Sequence, residues 1–460
     1  MNRKIKFLLL TAIFISGFCS LATELIVIRQ LSTFVGTTVV TTAIIIGCIM
    51  SFMAWGYYHG STVSLTFLPV RKKIYSSFIR LACFLILASS FVLLAAYFSC
   101  FYFLHIQNTP LRTFLFCLIF LSFPAYFFGN ITSLLCRYLH KYNRNYTGRI
   151  LAVDTLGSVL GSLLSTLVLM PFIGVNYTIV FLVVLCILTA SFFAKKFHLF
   201  TWIFIPLIAL ILNHSLLLEK IFGIVENNAV STIAILNVDK GKSKLMILND
   251  TFASKISQDE NLLFQYVVFI ENQFIKTLPK NKKHKILVLG AGGFTMGKDD
   301  VFNDYTYVDI DNTIKFHAEK HFLGIPLSKN KKFVAHDANQ FLNENSEKFD
   351  LVILDSYSSI TPSPSLITHE YFSRVKNHVA DGGIMVANIA TKPNFSDKYA
   401  LKIDNTLRSV FITNLHSQII DKFNPWDTHA PDVNIVYTWY NFPNEGNIYT
   451  INKNTLPWDR

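Results

Sequence analysis

The feature that constrains this chain most is a series of apolar runs, each close to the length of a membrane span. A helix needs about 20 consecutive, mostly apolar residues to cross a bilayer. Seven stretches qualify, at roughly 7–28, 37–58, 79–104, 112–136, 150–172, 175–194 and 198–218. No single soluble fold of 460 residues accommodates a chain that is 52% hydrophobic and only 15% charged. The sequence predicts a transmembrane helical domain of about six or seven spans over 1–220 and a separate domain over 228–460. The first run follows Arg3, Lys4 and Lys6, as a signal peptide's would. It leads straight on toward a second run without a small-residue cleavage site, so a retained span is expected.

Charge divides at the same place. Residues 1–220 carry 16 of the 41 Lys and Arg but only 3 of the 29 Asp and Glu. The basic character therefore belongs to the membrane half, and the remainder is nearly neutral. A nearly balanced domain does not advertise a nucleic-acid face, and no nucleic-acid partner is expected. The seven cysteines all precede residue 187 and stand singly in apolar runs. They read as small buried hydrophobes, not as zinc ligands.

Basic residues alternate between loops: Arg3, Lys4 and Lys6; then Arg71, Lys72, Lys73 and Arg80; then Arg137, Lys141, Arg144 and Arg149; then Lys195 and Lys196. The positive-inside rule places the N-terminus in the cytoplasm. Seven complete spans then put the C-terminal domain outside, whereas a domain using an adenosine-type cosubstrate belongs in the cytosol. The run 198–218, with Pro206, Asn213 and His214, is the weakest span, and a cytosolic domain is the expectation. Ionisable residues within spans are functional candidates. Glu24, with Arg29 close by, and Asp154, near Arg149, are the two acids inside these runs. Gly157 and Gly161, with Ser158, Ser162 and Ser165, form a small-residue ridge suited to close helix packing.

The soluble half opens with short strands around a turn at 239–242, then an amphipathic helix near 260–278 with Leu263, Tyr266, Val267, Ile270 and Phe274 on one face. A buried strand at 285–289 runs into Gly290-Ala291-Gly292-Gly293. Glycine here lets the backbone turn sharply and approach a ligand. Further strands end at Asp309, with Asp311 two residues on, at His336-Asp337-Ala338, at Asp355 and at Asn388. Asp309 lies where a carboxylate takes ribose hydroxyls in nucleoside sites, about 20 residues past the glycines. A lone strand-end Asp is as often a helix N-cap. Several such features in register point to nucleoside binding. The absence of Gly-Lys-Ser/Thr disfavours triphosphate hydrolysis.

Residues 283–390 resemble the spermidine synthase (polyamine aminopropyltransferase) family, in its membrane-fused bacterial branch. The resemblance rests on LVLGAGGFT, YVDIDNTIKFHAEKHF, HDANQFL, FDLVILDSYSS and SLITHEYFSRVKNHVADGGIMVANI. In the membrane half it rests on LATELIVIRQL and GRILAVDTLGSVLGSLLSTLVLMPFIG. It implies a Rossmann-like, S-adenosylmethionine-methyltransferase-type α/β domain with a small N-terminal β-hairpin, tethered to a bacterial inner membrane. It implies decarboxylated S-adenosylmethionine as cosubstrate, S-adenosylmethionine being the alternative, and an amine acceptor; homodimer formation stays open. By resemblance Gly290, Gly292 and Gly293 face the cosubstrate's methionine-like tail. Asp309 or Asp311 holds the ribose, Asp337 and Ala338 meet the adenine, and Asp355 stands at the reacting centre.

The chain also departs from the family. Its active loop reads Asp355-Ser356-Tyr357-Ser358, where the family has Asp-Ser-Ser-Asp. The hairpin carries Asn249-Asp250 and Ala253 where the family has Asp-Gly and a downstream Gln, and Phe264-Gln265-Tyr266 replaces Tyr-His-Glu. The segment after the glycines, MGKDDVFNDY, is short and polar for a first helix. The acceptor site reads as altered, which leaves open a methyltransferase or a non-catalytic membrane carrier or sensor of polyamine or nucleoside.

Overall fold

The computed structural model describes residues 3–36, 38–62, 66–106, 108–142, 146–195, 200–249, 251–356, 364–393, 398–421 and 432–442. The chain divides into two compact units, Met1–Ala234 and Ile235–Arg460.

The first unit is helical: α1 (Arg3–Val35), α2 (Val39–Gly60), α3 (Phe67–Ser89), α4 (Phe91–Phe103), α5 (Thr109–His140), α6 (Tyr146–Phe193) and α7 (Thr201–Phe222). Five of these are singly long and apolar enough to cross a membrane, and α3 with α4, bent by 57°, makes a sixth candidate. The 48-residue α6 is not one span. At about 1.5 Å per residue it would reach about 72 Å, over twice a bilayer's hydrocarbon thickness. It breaks at Gly174, where φ is 78° and ψ 165°, a conformation open essentially to glycine alone. The break divides α6 into two span-length segments, matching the runs at 150–172 and 175–194. The last run extends over Thr201–Phe222 as helix with an interruption at Asn213. Large apolar side chains such as Trp55, Phe172 and Phe192 face outward, as a lipid-exposed surface requires.

Small residues set the closest helix packing. An added Cβ at Gly157 or Gly161 would lie 2.2 Å from the backbone oxygen of Phe14 or Phe18 on α1. Gly56 on α2 and Gly129 on α5 meet Tyr126 and Met53 in the same way. Asp154 sits in the first of these contacts, accepting a hydrogen bond from Thr132 Oγ1 at 3.4 Å. The expected proximity of Arg29 to Glu24 gives way to another arrangement. Arg29 Nε donates to Asn228 O at 2.9 Å and its Nη2 to Thr232 Oγ1 at 3.2 Å. These partners flank the turn between β1 (Ile224–Asn227) and β2 (Thr232–Val238). Asn213 Nδ2 donates to Ser90 Oγ at 3.0 Å, tying the interruption in α7 to the α3–α4 bend.

In the second unit, β3 (Ser243–Leu248) and β4 (Thr251–Ser257) form an antiparallel hairpin. The short α8 (Gln265–Ile270) continues through a π-turn to Ile275 and buries Tyr266, Val267, Ile270 and Phe274, as its periodicity predicts. A seven-stranded sheet follows: β5 (Lys285–Leu289), β6 (Asp304–Asp309), β7 (Lys331–Ala335), β8 (Phe349–Leu354), β9 (Val379–Thr391), β10 (Leu415–Ile419) and β11 (Val433–Tyr440). Their order is β10-β11-β9-β8-β5-β6-β7. The run from β9 through β8, β5 and β6 to β7 is parallel, and β11 inserts antiparallel between β9 and β10. Crossover helices are α9 (Ile314–His317, extended by a π-turn to Leu323), α10 (Ala338–Glu344), α11 (His369–His378) and α12 (Lys398–Val410). Strands covered on both faces read as continuous apolar runs, and in β8 residues Leu351–Leu354 are all buried. The β5–β6 connection, residues 290–303, contains no helix.

Candidate functional site

The strand order reverses between β5 and β8, and open α/β sheets bind ligands at that switch point, outside the strands' carboxyl ends. Gly290 ends β5 and Asp355 ends β8, so the sheet brings the two together. Gly290 has φ 97°, and a Cβ there would lie 2.6 Å from Asp355 O and 2.7 Å from Ser356 Oγ. Glycine is needed at this position for the approach of one strand end to the other.

Asp355 is gripped from two sides. Tyr266 Oη donates to its Oδ2 and Asn388 Nδ2 to its Oδ1, each at 3.2 Å. Burial pushes the Asp355 carboxyl up to about 7, against the pull of the two donors. Burial also drives the Tyr266 phenol up, reinforced by the charge of Asp355 and, more weakly, of Asp421. Asp421 Oδ2 accepts from the backbone and side-chain nitrogens of Asn434, both at 2.7 Å. A carboxyl titrating near neutrality at a strand end suits a proton acceptor.

The glycine loop is held by the chain's own acceptors. Asp309 Oδ2 takes Ala291 N at 3.0 Å and its Oδ1 takes Asp311 N at 3.1 Å. Burial raises the Asp309 carboxyl, and these backbone donors oppose the rise. Ser254 Oγ on β4 takes Gly293 N at 2.8 Å, and Glu271 Oε1 takes Gly297 N. Gly292 abuts Ser254, and Gly293 packs on Phe322. The glycines expected to face a cosubstrate tail thus also have internal neighbours that demand them.

The remaining expected residues separate. Asp311 is 2% exposed and its Oδ1 takes Thr313 N at 2.9 Å and Thr313 Oγ1 at 2.7 Å, an Asx turn leading into α9. Asp337 caps α10, its Oδ1 receiving Asn339 N and Gln340 N, with Ala338 as the first helical residue. Asp337 is therefore a helix cap at the edge where a nucleoside would lie. Tyr357, Ser358 and Asp250 lie outside the described residues. Sequence reasoning named Asn388 only as a strand end and Tyr266 only on the helix face and as a departure from the family, and gave neither a contact with Asp355. Among the described residues no group of three or more His, Cys, Asp and Glu could hold a metal ion. A groove of about 630 Å³ lies apart from Asp355, between the outer face of α8 and the helix-free segment 295–303.

A doubly wound sheet with a reversed penultimate strand defines a Rossmann-like α/β domain of the methyltransferase type. Residues 268–421 match the spermine/spermidine synthase domain. A polyamine aminopropyltransferase of Saccharolobus islandicus is 28% identical over 207 residues, 43% of this chain and 66% of the relative. One of Sulfurisphaera tokodaii is 36% identical over 141 residues, 28% of this chain and 46% of the relative. A probable spermidine synthase from Corynebacterium glutamicum, solved as a crystal structure, aligns at 22% identity and a TM-score of 0.39, covering 46% of this chain and 77% of that one. The second unit is thus similar to the spermidine synthase family over residues 268–421, and the matches span at most about two thirds of these curated relatives' own length.

Proposed function

We propose that the soluble half, tethered by the membrane half, transfers an aminopropyl group from decarboxylated S-adenosylmethionine to an amine. The acceptor nitrogen attacks the carbon beside the sulfonium. The new C–N bond forms as the C–S bond breaks, its electron pair stays on sulfur, and the nitrogen's proton passes to Asp355. Tyr266 and Asn388 hold the Asp355 carboxylate for that role.

The observation that carries the cosubstrate is the filling of the glycine loop. Ala291, Gly293 and Gly297 give their N–H groups to Asp309, Ser254 and Glu271. Free N–H groups in such loops ordinarily hold a pyrophosphate or a carboxylate. Here they are spent on the chain's own acceptors, two of them carboxylates. An anionic tail would meet repulsion, whereas the decarboxylated cosubstrate ends in an ammonium.

Calorimetry on the purified full-length protein tests this with decarboxylated S-adenosylmethionine, methylthioadenosine, S-adenosylmethionine and NAD. The first two should bind more tightly than the last two, and NAD binding equally well rejects the reading. Ser358 stands where the family has a second acid. With Asp355 the one acid left in Asp355-Ser356-Tyr357-Ser358, spermidine formation from putrescine should be slow or absent. Ordinary synthase turnover would refute that expectation.

A further inference from the structure

Asn388 sits at the carboxyl edge of β9, 5% exposed, and only half of its carboxamide is used. Its Nδ2 donates to Asp355 Oδ1 at 3.2 Å. Its Oδ1 is buried and has no hydrogen-bond partner among the described residues. A buried acceptor left unpaired costs about 1–3 kcal/mol, so such atoms call for an explanation. The amide is planar, so this idle oxygen lies a few ångströms from the carboxylate that its own nitrogen holds. Tyr266 already donates to the other carboxylate oxygen. The spare acceptor and the acid therefore stand side by side at the switch point, both suited to N–H groups.

We propose that Asn388 Oδ1 is a second contact for the acceptor's nitrogen, receiving one N–H while Asp355 receives another. This rests on the amine-acceptor reading above. An attacking atom must then bring at least two hydrogens. A primary amine or its ammonium does; a hydroxyl or thiol does not. Asn388 thereby selects nitrogen over oxygen and sulfur nucleophiles, and Asp355 removes the proton.

The test is binding of 1,4-diaminobutane to the full-length protein saturated with methylthioadenosine, at pH 7 and at pH 9. Asn388→Leu should weaken diamine binding by about tenfold or more at both pH values, the loss of roughly one charge-assisted hydrogen bond. Methylthioadenosine affinity should stay at the wild-type value. The two pH values separate a contact from an indirect effect. Removing the Asn388 N–H raises the Asp355 carboxyl further, and an effect exerted only through Asp355 disappears at pH 9, where the acid is ionised. Recovery at pH 9, or unaltered diamine affinity, overturns the proposal. Asn388→Ala supplies the same measurement if the leucine variant does not fold. A wild-type protein that binds methylthioadenosine but neither 1,4-diaminobutane nor any other primary amine sinks the amine-acceptor reading itself, and this proposal with it. Wild-type diamine binding left intact by both variants sinks this proposal alone.

Discussion

At the scale of single residues, the two strand-end acids differ in what they give up on folding. Asp309 spends both oxygens on backbone N–H groups, so it braces the glycine loop. Asp309→Ala should weaken binding of the adenosyl thioether by about 1–3 kcal/mol, read as a dissociation constant by calorimetry on folded protein. An unchanged constant would assign Asp309 to the loop alone. Asp355 is held by side-chain donors instead, Tyr266 and Asn388. Its carboxyl is raised from the ordinary 3.8 to about 7 in the fold. Between those values the native state holds a proton that the unfolded chain has released. Its contribution to stability is therefore complete below about pH 4 and is lost as pH rises toward 7. Asp355→Asn removes that penalty and should stabilise the protein by about 1–3 kcal/mol at pH 8, with little change at pH 4. Thermal unfolding at the two pH values checks this; a gain equal at both would place the effect in packing. Asp355 and Asp309 were legible in the sequence because strand ends are marked by the switch from apolar run to acid. Asn388 was not, since its meaning depends on which strand lies beside it.

Among elements, β5 to β8 were legible to within a residue or two, β9 runs from Val379 through the expected Asp381-Gly382 turn, and β10 and β11 were not read from the sequence. Continuous apolar stretches between polar connections leave little choice. The crossover helices were less legible. MGKDDVFNDY, read as a short and unusual first helix, is a succession of turns. Asp300 explains why: its carboxylate takes Phe302 N at 2.8 Å, Asn303 Nδ2 at 2.7 Å and Tyr305 Oη at 2.8 Å, so a local polar cluster replaces the helical ladder. In the first unit the glycine ridge acted as its spacing implied. Gly161→Leu should force α1 and α6 apart, because a side chain has no room against the Phe18 backbone. A loss of monodisperse protein in detergent, or a large fall in melting temperature, is expected. Wild-type behaviour would show that the two helices can part without cost. Gly148, with nothing within 4 Å of an added Cβ, provides the control.

For the whole molecule, the count of crossings decides more than any single contact. With α6 divided at Gly174, the crossing-length segments number seven, counting α3 with α4 as one. Seven complete crossings, with the basic loops held inside, would set the C-terminal domain on the face opposite the N-terminus, against the expectation of a cytosolic domain. Reporter fusions near the N-terminus and within the C-terminal domain should therefore give the same signal; opposite signals would mean that all seven segments cross. A cytosolic domain, which cosubstrate supply favours, requires one of the seven to stop short of crossing. The peptide turn at Gly174 thus carries a metabolic meaning. A site on the inner face draws on the cell's own nucleoside pool. A site on the outer face sees only what has been exported or scavenged, and would answer to the supply of molecules in its surroundings.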